Sequence, residues 1–422
     1  MRGSLKISIS KLFIPLIVFL PVMLSLNENM AFNISISDVF LPIVCLLLFT
    51  HSIKVSFKKS NSYKIVKSYS VLYVLIIGVV LSINLLKLCM IEDIESISSG
   101  IKNVVKIVIN LVYFSVFTYG FKISGKEFEK VFIKTWTYTS VVISILAILG
   151  VILFSIGIEN SWSYYYRAVG TFNDPNLFAT YLFISISITS IYNYKNKKNI
   201  LGANLILNLI ALLLTSSRAA IISVLAAVLL VMLILFFNGE LKKISLILIK
   251  IVVLGGVLII VYILISQILD VNILGNTLER LFEMGDTIKE DSRISQWISG
   301  IKLWCSSPIL GVGIGKFIDS GISMGFTKYR ILAHNTYITF LSELGIIGLM
   351  AFIWFPVMLF IKLIKNSMNS VKNQVLIFSI VGVTISCISL NLENFRCMWV
   401  FLVYCYYCIK SSKKEVFPLI IS

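Results

Sequence analysis

The chain alternates between long apolar segments and short polar ones. Each apolar segment carries few charges and is near the roughly 20 residues that a helix needs to cross a bilayer. Twelve such segments lie near residues 11–28, 34–51, 68–86, 103–121, 135–157, 175–193, 199–215, 218–237, 244–266, 336–361, 374–391 and 397–409. The pattern predicts an all-α polytopic membrane protein of about twelve transmembrane helices, with residues 1–422 forming a single integral membrane domain.

One polar segment is far longer than the others. Residues 267–335 separate the ninth and tenth spans, and loops of this length are usually functional. Within this segment an apolar stripe at helical spacing follows Ser292, and its tryptophans favour a helix at the membrane–water interface. The stripe consists of Ile294, Trp297, Ile298, Ile301, Trp304 and Cys305. A proline and three glycines in residues 308–315 predict a turn that ends this helix.

Lysines recur in every second connecting segment. These clusters occupy residues 54–67, 122–134, 195–198, 242–243, 362–372 and 410–414. Because basic residues favour the cytoplasmic side of a membrane, the alternation places both termini inside and residues 267–335 outside. It also explains most of the net charge of +17. Nucleic-acid binding is excluded because the basic residues are spread over short loops instead of one domain.

The composition agrees with a membrane protein. Hydrophobic residues make up 58% of the chain and charged residues 14%, whereas soluble domains have about 45–50% and about 25%. The seven cysteines show neither metal-ligand spacing nor a disulfide framework. No phosphate-binding loop of the ATPase type is found. We therefore expect no metal and no organic cofactor.

The arginines are distributed differently from the lysines. Six of the seven lie in segments assigned to the outer face, together with His334. The six are Arg167, Arg218, Arg280, Arg293, Arg330 and Arg396. Basic residues on the translocated side run against the usual bias of membrane proteins. An anionic substrate outside the membrane would explain their position.

Two of these arginines have the surroundings of a phosphate site. Arg218 begins the eighth span directly after Ser217, and a helix N-terminus attracts phosphate but disfavours a cation. Arg293 begins the predicted loop helix, and its planar guanidinium can hold a phosphate through two hydrogen bonds. Alternatively, Arg218 anchors the helix to lipid headgroups, and Arg293 forms a surface pair with Asp291 or Glu290.

Further polar side chains accompany these arginines. Arg167 follows three tyrosines and precedes Asn176, which suits sugar stacking and hydroxyl recognition, or equally an aromatic belt and a helix start. His334 lies at the mouth of the tenth span, where an imidazole could take a proton from an attacking hydroxyl or simply bond to backbone. Glu343 lies deeper in the same span, and an acid inside the membrane is costly enough to indicate function.

Four segments, in order and on one face, resemble those of the O-antigen ligase and polymerase family of bacterial surface-polysaccharide enzymes. They are Arg167 to Asn176, Thr215 to Ala220, Ser292 to Gly315, and His334 to Gly345. The resemblance implies a helical C-type glycosyltransferase fold at the outer face of the cytoplasmic membrane. It also implies an undecaprenyl-pyrophosphate glycan as donor, a second glycan as acceptor, and metal-independent transfer with inversion at the anomeric carbon.

The resemblance implies roles for individual residues as well. Arg218 and Arg293 would bind the donor pyrophosphate, and His334 would assist the attacking hydroxyl, so these three are the catalytic candidates. The candidates for further substrate binding are Arg167, Asn176, Ser217 and Glu343. Paired cations stabilise the charge that develops on a pyrophosphate leaving group. The expected partners besides donor and acceptor are the lipid bilayer and other membrane proteins of polysaccharide assembly.

Residue usage favours one activity within the family. Ile, Lys and Asn are abundant, as in AT-rich genomes, and such a composition is compatible with a Gram-positive cell without lipopolysaccharide. A repeat-unit polymerase for a capsular or similar polysaccharide is therefore favoured over a ligase acting on a lipid core, wall polymer or protein. A lipid-linked oligosaccharide flippase is the other alternative. We would expect it to carry cations deep in several spans, and only Lys106 and Lys250 lie there.

Overall fold

The computed structural model describes residues 9–25, 33–56, 69–89, 94–196, 202–237, 239–241, 293–327, 330–366 and 370–415, with the isolated positions 245, 248, 256 and 267. The helices are α1 (Ile14–Phe19), α2 (Ser37–Ser56), α3 (Tyr69–Leu88), α4 (Ile94–Ser155), α5 (Pro175–Lys195), α6 (Ala203–Leu214), α7 (Arg218–Phe237), α8 (Arg293–Ser306), α9 (Phe317–Ser323), α10 (Thr336–Lys365), α11 (Val371–Ser389) and α12 (Arg396–Glu415). A 3₁₀ turn, Ile9–Phe13, precedes α1. Two antiparallel strand pairs join β1 (Met23–Ser25) to β2 (Asn33–Ser35) and β3 (Ser163–Tyr164) to β4 (Arg167–Ala168).

Six of the described helices are long and apolar enough to cross a membrane. They are α3, α4, α5, α7, α10 and α11. This finding confirms the class predicted from the apolar pattern, an all-α multi-pass membrane protein. The total of twelve spans, the sidedness of the termini and the placement of residues 267–335 stay predictions. The ninth predicted span, near 244–266, falls almost wholly outside the described residues.

The first predicted span, near 11–28, is not one continuous helix. α1 ends at Phe19, because Pro21 has no N–H with which to continue the helical hydrogen bonds. The chain then forms β1, which pairs antiparallel with β2. The Ser35 hydroxyl holds this hairpin to the helix end, donating to the carbonyl oxygens of Phe19 and Leu20 at 2.8 and 3.0 Å. The prediction of a single long helix here was wrong.

The lysine-rich segment 122–134, expected as a loop, is helical. α4 runs through it, with non-helical backbone at Gly125, where φ is 47° and ψ is −118°. Lysine and glutamate are good helix formers, so the helix continues where the apolar run stops. Only glycine adopts such a positive φ readily, which explains the position of the break. The predicted fourth and fifth spans are thus two helical segments joined by a kink.

Contacts divide the chain into two compact units. Unit 1 consists of Met1–Val44, Ser124–Gly285 and Lys362–Val383. Unit 2 consists of Cys45–Ile123, Asp286–Ile361 and Thr384–Ser422. Each unit therefore draws its elements from three separate stretches of sequence. The prediction of one integral membrane domain concerns the whole chain and stays a prediction.

Buried polar side chains join the helices of unit 1. Asn208 of α6 accepts a hydrogen bond from Ser144 of α4 at 2.8 Å, and donates to Ser140 of α4 and Thr189 of α5 at 3.2 Å each. All four side chains are buried. Hydrogen bonds of this kind hold membrane helices together, because lipid provides little hydrophobic drive for helix association.

A buried carboxylate makes a second connection in unit 1. Glu129 of α4 is 4% exposed and pairs with Lys195 of α5 at 2.8 Å and Lys372 of α11 at 2.5 Å. Two ammonium groups compensate for the burial of one carboxylate, as a charge removed from water requires. The pairing fixes the mutual position of these three helices.

Unit 2 has an aromatic core. The ring of Tyr73 on α3 stacks on Phe355 of α10 at 4.7 Å between centroids and lies 6.0 Å from Trp399 of α12. The Tyr73 hydroxyl donates to the Phe352 carbonyl oxygen at 3.1 Å. All these side chains are buried, so a polar hydroxyl is accommodated in the core by a backbone acceptor.

α8 confirms the helix predicted after Ser292, and its buried face is not the predicted apolar stripe. Its buried residues are Gln296, Ser299, Gly300 and Leu303. Ile294, Ile298 and Ile301 of the predicted stripe are 59%, 49% and 45% exposed. These isoleucines therefore face away from the core of unit 2, and the position of the helix at a membrane surface stays a prediction. The short helix α9 was not predicted, since its 7 residues are too few to show a periodicity.

Candidate functional site

Arg167 joins two of the predicted site segments within unit 1. It lies on β4, after the hairpin turn Tyr165–Tyr166. Its Nε donates to the Thr215 carbonyl oxygen at 2.9 Å, and its Nη2 donates to Oδ1 of Asn176 at 3.2 Å. One half-buried guanidinium thus fixes the end of α6 beside the start of α5. Arg167 therefore controls the geometry of the turn that leads to Arg218.

The N-terminal cap of α5 places Asn176. Asp174 has extended backbone, and its Oδ1 accepts from the N–H groups of Asn176 and Leu177 at 2.7 and 3.0 Å. Pro175 fits the first helical position because its missing N–H would be unsatisfied there. The local sequence therefore encodes the cap. In the described part of the chain, the Asn176 amide nitrogen makes no hydrogen bond, so it keeps its donors.

The turn before α7 combines a strained residue, a cap and a cation. Ser216 has a φ of 49°. The buried hydroxyl of Ser217 then accepts from the Ala220 N–H at 3.3 Å. Arg218 is the first residue of α7 and is exposed. Its guanidinium makes no hydrogen bond or ion pair with the described residues, so its N–H groups are free of protein acceptors there. Ser217, a candidate for substrate binding, serves as the helix cap.

A second strained turn precedes α10 in unit 2. His334 has a φ of 46° and an exposed side chain. Asn335 caps the helix, since its Oδ1 accepts from the N–H groups of Tyr337 and Ile338 at 3.0 and 3.1 Å. The cap marks the N-terminal end of α10 at Asn335 and leaves the imidazole of His334 accessible.

A tryptophan attaches α8 to this turn. The Nε1 of Trp297 donates to the Ala333 carbonyl oxygen at 3.0 Å, which fixes the residue before His334. Arg293 begins α8 about one turn before Trp297. Arg293 is exposed and makes no hydrogen bond or ion pair with any described residue. The helix that begins with Arg293 is thus bonded to the turn that carries the histidine.

The side chain of Glu343 binds the glycine turn between α8 and α9. Its buried carboxylate accepts from the N–H groups of Gly315 at 2.8 Å and Phe317 at 3.3 Å. A Cβ on Gly311 would lie 2.3 Å from the Glu343 carbonyl oxygen. Gly311, Gly313 and Gly315 all have positive φ, so the predicted turn is confirmed. The acid in α10 holds that turn, which is a structural use of a residue expected at the substrate.

Backbone strain falls within or next to the segments that carry the family resemblance. Among the described residues, the non-glycine residues with positive φ are Tyr165, Ser216 and His334, at 52°, 49° and 46°. Such conformations cost about 1–3 kcal/mol each and cluster at functional sites. Each of the three lies within two residues of a candidate or is itself one. No residue pattern marks a strained serine or histidine, so sequence reasoning missed this feature.

A buried charged group in unit 2 was not assigned to the site from the sequence. Arg396 is 2% exposed and donates from Nη1 to the Asn394 carbonyl oxygen at 3.2 Å. Lys106 of α4 interacts electrostatically with Glu393, Glu343 and Arg396. Burial raises the pKa of the Glu393 carboxyl, which lies between α11 and α12. The sequence signals for this group were the lysine within a predicted span, the acid Glu343 in another span, and Arg396 among the arginines of the predicted outer face.

Arg330 is largely exposed, with Nη2 at 3.7 Å from Oδ1 of Asp319. Arg280 lies outside the described residues, as do Glu290 and Asp291, the alternative partners of Arg293. Among the residues that are described, no group of three or more His, Cys, Asp or Glu side chains could hold a metal ion.

The fold and these turns define a multi-pass helical membrane protein with cations at helix starts. Residues 203–353 match the family model described as O-antigen ligase. Over that segment the match agrees with the predicted resemblance to the O-antigen ligase/polymerase family. None of the curated proteins compared with the chain matches it. The family implies a glycosyltransferase-like activity on lipid-linked glycans in a membrane. The matched segment contains Arg218, Arg293, His334 and Glu343, whereas Arg167 precedes it.

Proposed function

We propose that the protein polymerises lipid-linked oligosaccharide repeat units into a surface polysaccharide at the outer face of the cytoplasmic membrane. The donor is a glycan on undecaprenyl pyrophosphate, and the acceptor is a hydroxyl of another repeat unit. The observation that carries this proposal is the pair Arg218 and Arg293. Each is the first residue of a helix, each is exposed, and neither is paired with a described residue.

A cation at a helix start has a physical cost that a bound anion would remove. The helix N-terminus carries partial positive charge and free N–H groups, so an arginine there is unfavourable by itself. A pyrophosphate would accept from those N–H groups and from the guanidinium together. Each assignment rests on the surroundings of that arginine within its own unit.

The reaction follows from the chemistry of this leaving group. The acceptor hydroxyl oxygen attacks the anomeric carbon, and the bond from that carbon to the pyrophosphate oxygen breaks with inversion. The bonding electron pair leaves with the pyrophosphate, whose growing negative charge Arg218 and Arg293 stabilise. His334 takes the hydroxyl proton, which suits an accessible imidazole. Undecaprenyl pyrophosphate is released.

The four other candidate residues take supporting roles in this proposal. Asn176 offers its amide donors to a glycan hydroxyl. Arg167 sets the position of Asn176 and of the turn before Arg218. Ser217 and Glu343 hold backbone through the hydrogen bonds described above. Arg218, Arg293 and His334 would then act on the reacting groups, and Arg167, Ser217 and Glu343 would keep the surrounding backbone in place.

Substitution of Arg218 and Arg293 tests the proposal. Arg218→Ala and Arg293→Ala should each lower glycan elongation by at least about 100-fold. The measurement is product length from purified protein in liposomes with an undecaprenyl-pyrophosphate repeat unit, without ATP or added metal. Arg330→Ala is the matched control, because Arg330 is also exposed but has an acidic neighbour. Wild-type product length in both test variants would contradict the pyrophosphate role.

The same assay separates the alternatives. The ligase alternative is favoured by the description of the matched family, O-antigen ligase. A ligase would transfer the glycan to an added lipid, wall-polymer or protein acceptor and would not lengthen lipid-linked repeat units. Movement of labelled donor across the liposome bilayer without any glycan transfer would instead support a flippase.

A further inference from the structure

The segment between α11 and α12 contacts the His334 turn in unit 2. The Thr336 hydroxyl donates to the Leu390 carbonyl oxygen at 2.7 Å and accepts from the Leu392 N–H at 2.8 Å. The Thr336 backbone N–H donates to the same Leu390 oxygen at 3.0 Å. Three hydrogen bonds thus bind the first residue of α10 to residues more than 50 positions later in the chain.

The segment that receives Thr336 is itself firmly held. The Glu393 carbonyl oxygen accepts from Trp399 Nε1 at 3.1 Å and from Asn110 Nδ2 at 3.2 Å. Leu392 is fully buried. Because the support comes from both α4 and α12, the Leu390 and Leu392 backbone groups offer Thr336 a fixed acceptor and a fixed donor.

The His334 turn needs such support. A non-glycine residue persists in the left-handed region only where its neighbours determine the backbone on both sides. On one side, Trp297 holds the Ala333 carbonyl. On the other side, Asn335 caps the helix, but a cap sets only the helix end and not its position against neighbouring segments. Thr336 supplies that position through the Leu390 and Leu392 backbone.

We propose that Thr336 is a positioning residue for His334, which it holds at the acceptor hydroxyl through the segment 390–392. This inference rests on the proposed role of His334 as the group that takes the proton. Thr336 touches no reacting atom in this scheme. Its loss would displace the imidazole without removing it, and a displacement of about 1 Å can cost a factor of about 100 in rate.

Three variants test the proposal. Thr336→Val keeps the shape but removes the hydroxyl, whereas Thr336→Ser keeps the hydroxyl. Thr339→Val is the matched control, because Thr339 is a buried threonine on the same helix whose hydroxyl has no hydrogen-bond partner among the described residues. Thr336→Val should lower kcat by about 10- to 100-fold with little change in KM for the donor. Thr336→Ser should restore most of kcat, and Thr339→Val should retain it.

Amide hydrogen exchange of residues 331–338 gives a readout that does not need activity. Exchange should be faster in Thr336→Val than in Thr336→Ser or Thr339→Val, because only the valine variant releases the turn. Equal protection and equal kcat in all three variants would overturn the positioning role while leaving the glycosyltransferase proposal intact. If the wild-type protein transfers no glycan, the proposed function fails, and exchange still decides whether Thr336 holds the turn.

Discussion

The turns that lead into α7 and α10 each contain a residue with positive φ before a helix cap, but different chemical groups hold the two turns in place. In each, a residue with positive φ, Ser216 or His334, precedes a helix cap formed by Ser217 or Asn335. In unit 1 the turn is held by a charged group, the Arg167 guanidinium on a backbone carbonyl. In unit 2 the described tethers, an indole N–H and a threonine hydroxyl, are neutral.

The difference between charged and neutral tethers follows from the functional side chain that each turn carries. The turn in unit 1 leads to Arg218, and a second arginine nearby adds to the attraction for an anion. The turn in unit 2 presents His334, and a cation fixed beside an imidazole makes its protonation less favourable. Neutral tethers hold the histidine without opposing the proton transfer that we propose for it. The choice of tether thus fits the charge that each turn must carry.

The largest effect should come from the charged tether. Arg167→Lys removes the planar fork that reaches both Thr215 and Asn176, and a lysine ammonium cannot reproduce that geometry. We expect glycan transfer to fall by about 100-fold, although the net charge is unchanged. Initial rates in the liposome assay measure this. Arg330→Lys is the control for a general effect of replacing an exposed arginine.

Retention of full activity in Arg167→Lys would contradict the claim that a charged group holds the turn before α7. It would mean that the turn before α7 keeps its shape without the two guanidinium hydrogen bonds. The role of Arg218 would then have to be explained without a tether from β4.

A smaller effect should come from the neutral tether on α8. Trp297→Phe removes the N–H that holds the Ala333 carbonyl and keeps most of the ring. We expect a fall in kcat of about tenfold, because Thr336 still holds the other side of the turn. Trp304→Phe is a close control on the same helix, since its indole donates to Pro308, away from the histidine. Equal losses in the two variants would show that the helix, and not the tether, is responsible.

The smallest effect concerns the buried acid in the segment that supports Thr336. Burial raises the pKa of Glu393, so the folded protein keeps that proton to a higher pH than the unfolded chain. The resulting stability is complete below the unfolded pKa and is lost as the pH rises through the folded pKa. Glu393→Gln should therefore raise Tm at pH 8 by about 2–4 °C, with a smaller gain at pH 5.

Thermal unfolding in detergent at the two pH values measures this difference. Glu127→Gln is the control, because Glu127 is an exposed glutamate that accepts a hydrogen bond from Ser10 at 2.8 Å. A lower Tm for Glu393→Gln at pH 8 would show that the charged carboxylate stabilises the segment through Lys106.

The apolar pattern predicted most helices because a helix depends on residues three and four positions apart. It predicted α8 and the glycine turn after it, and it placed the starts of α7 and α10 correctly. It failed where a segment that is not apolar is helical, and where an apolar segment is not helical throughout. Lysine-rich residues 122–134 continue α4 because lysine is a good helix former. The apolar run near 11–28 breaks because Pro21 lacks an N–H.

The candidate site also has features that the local sequence predicts and features that only the packed structure shows. The sequence by itself determined the class of protein, the family resemblance and the two arginines at helix starts, because each is written in a short stretch of residues. Only the tertiary structure decided that Arg167 holds Thr215, 48 residues away, that Glu343 holds the glycine turn, and that Thr336 is bound to Leu390, 54 residues away. Such hydrogen bonds form between segments that only the packed helices bring together, so no local pattern records them.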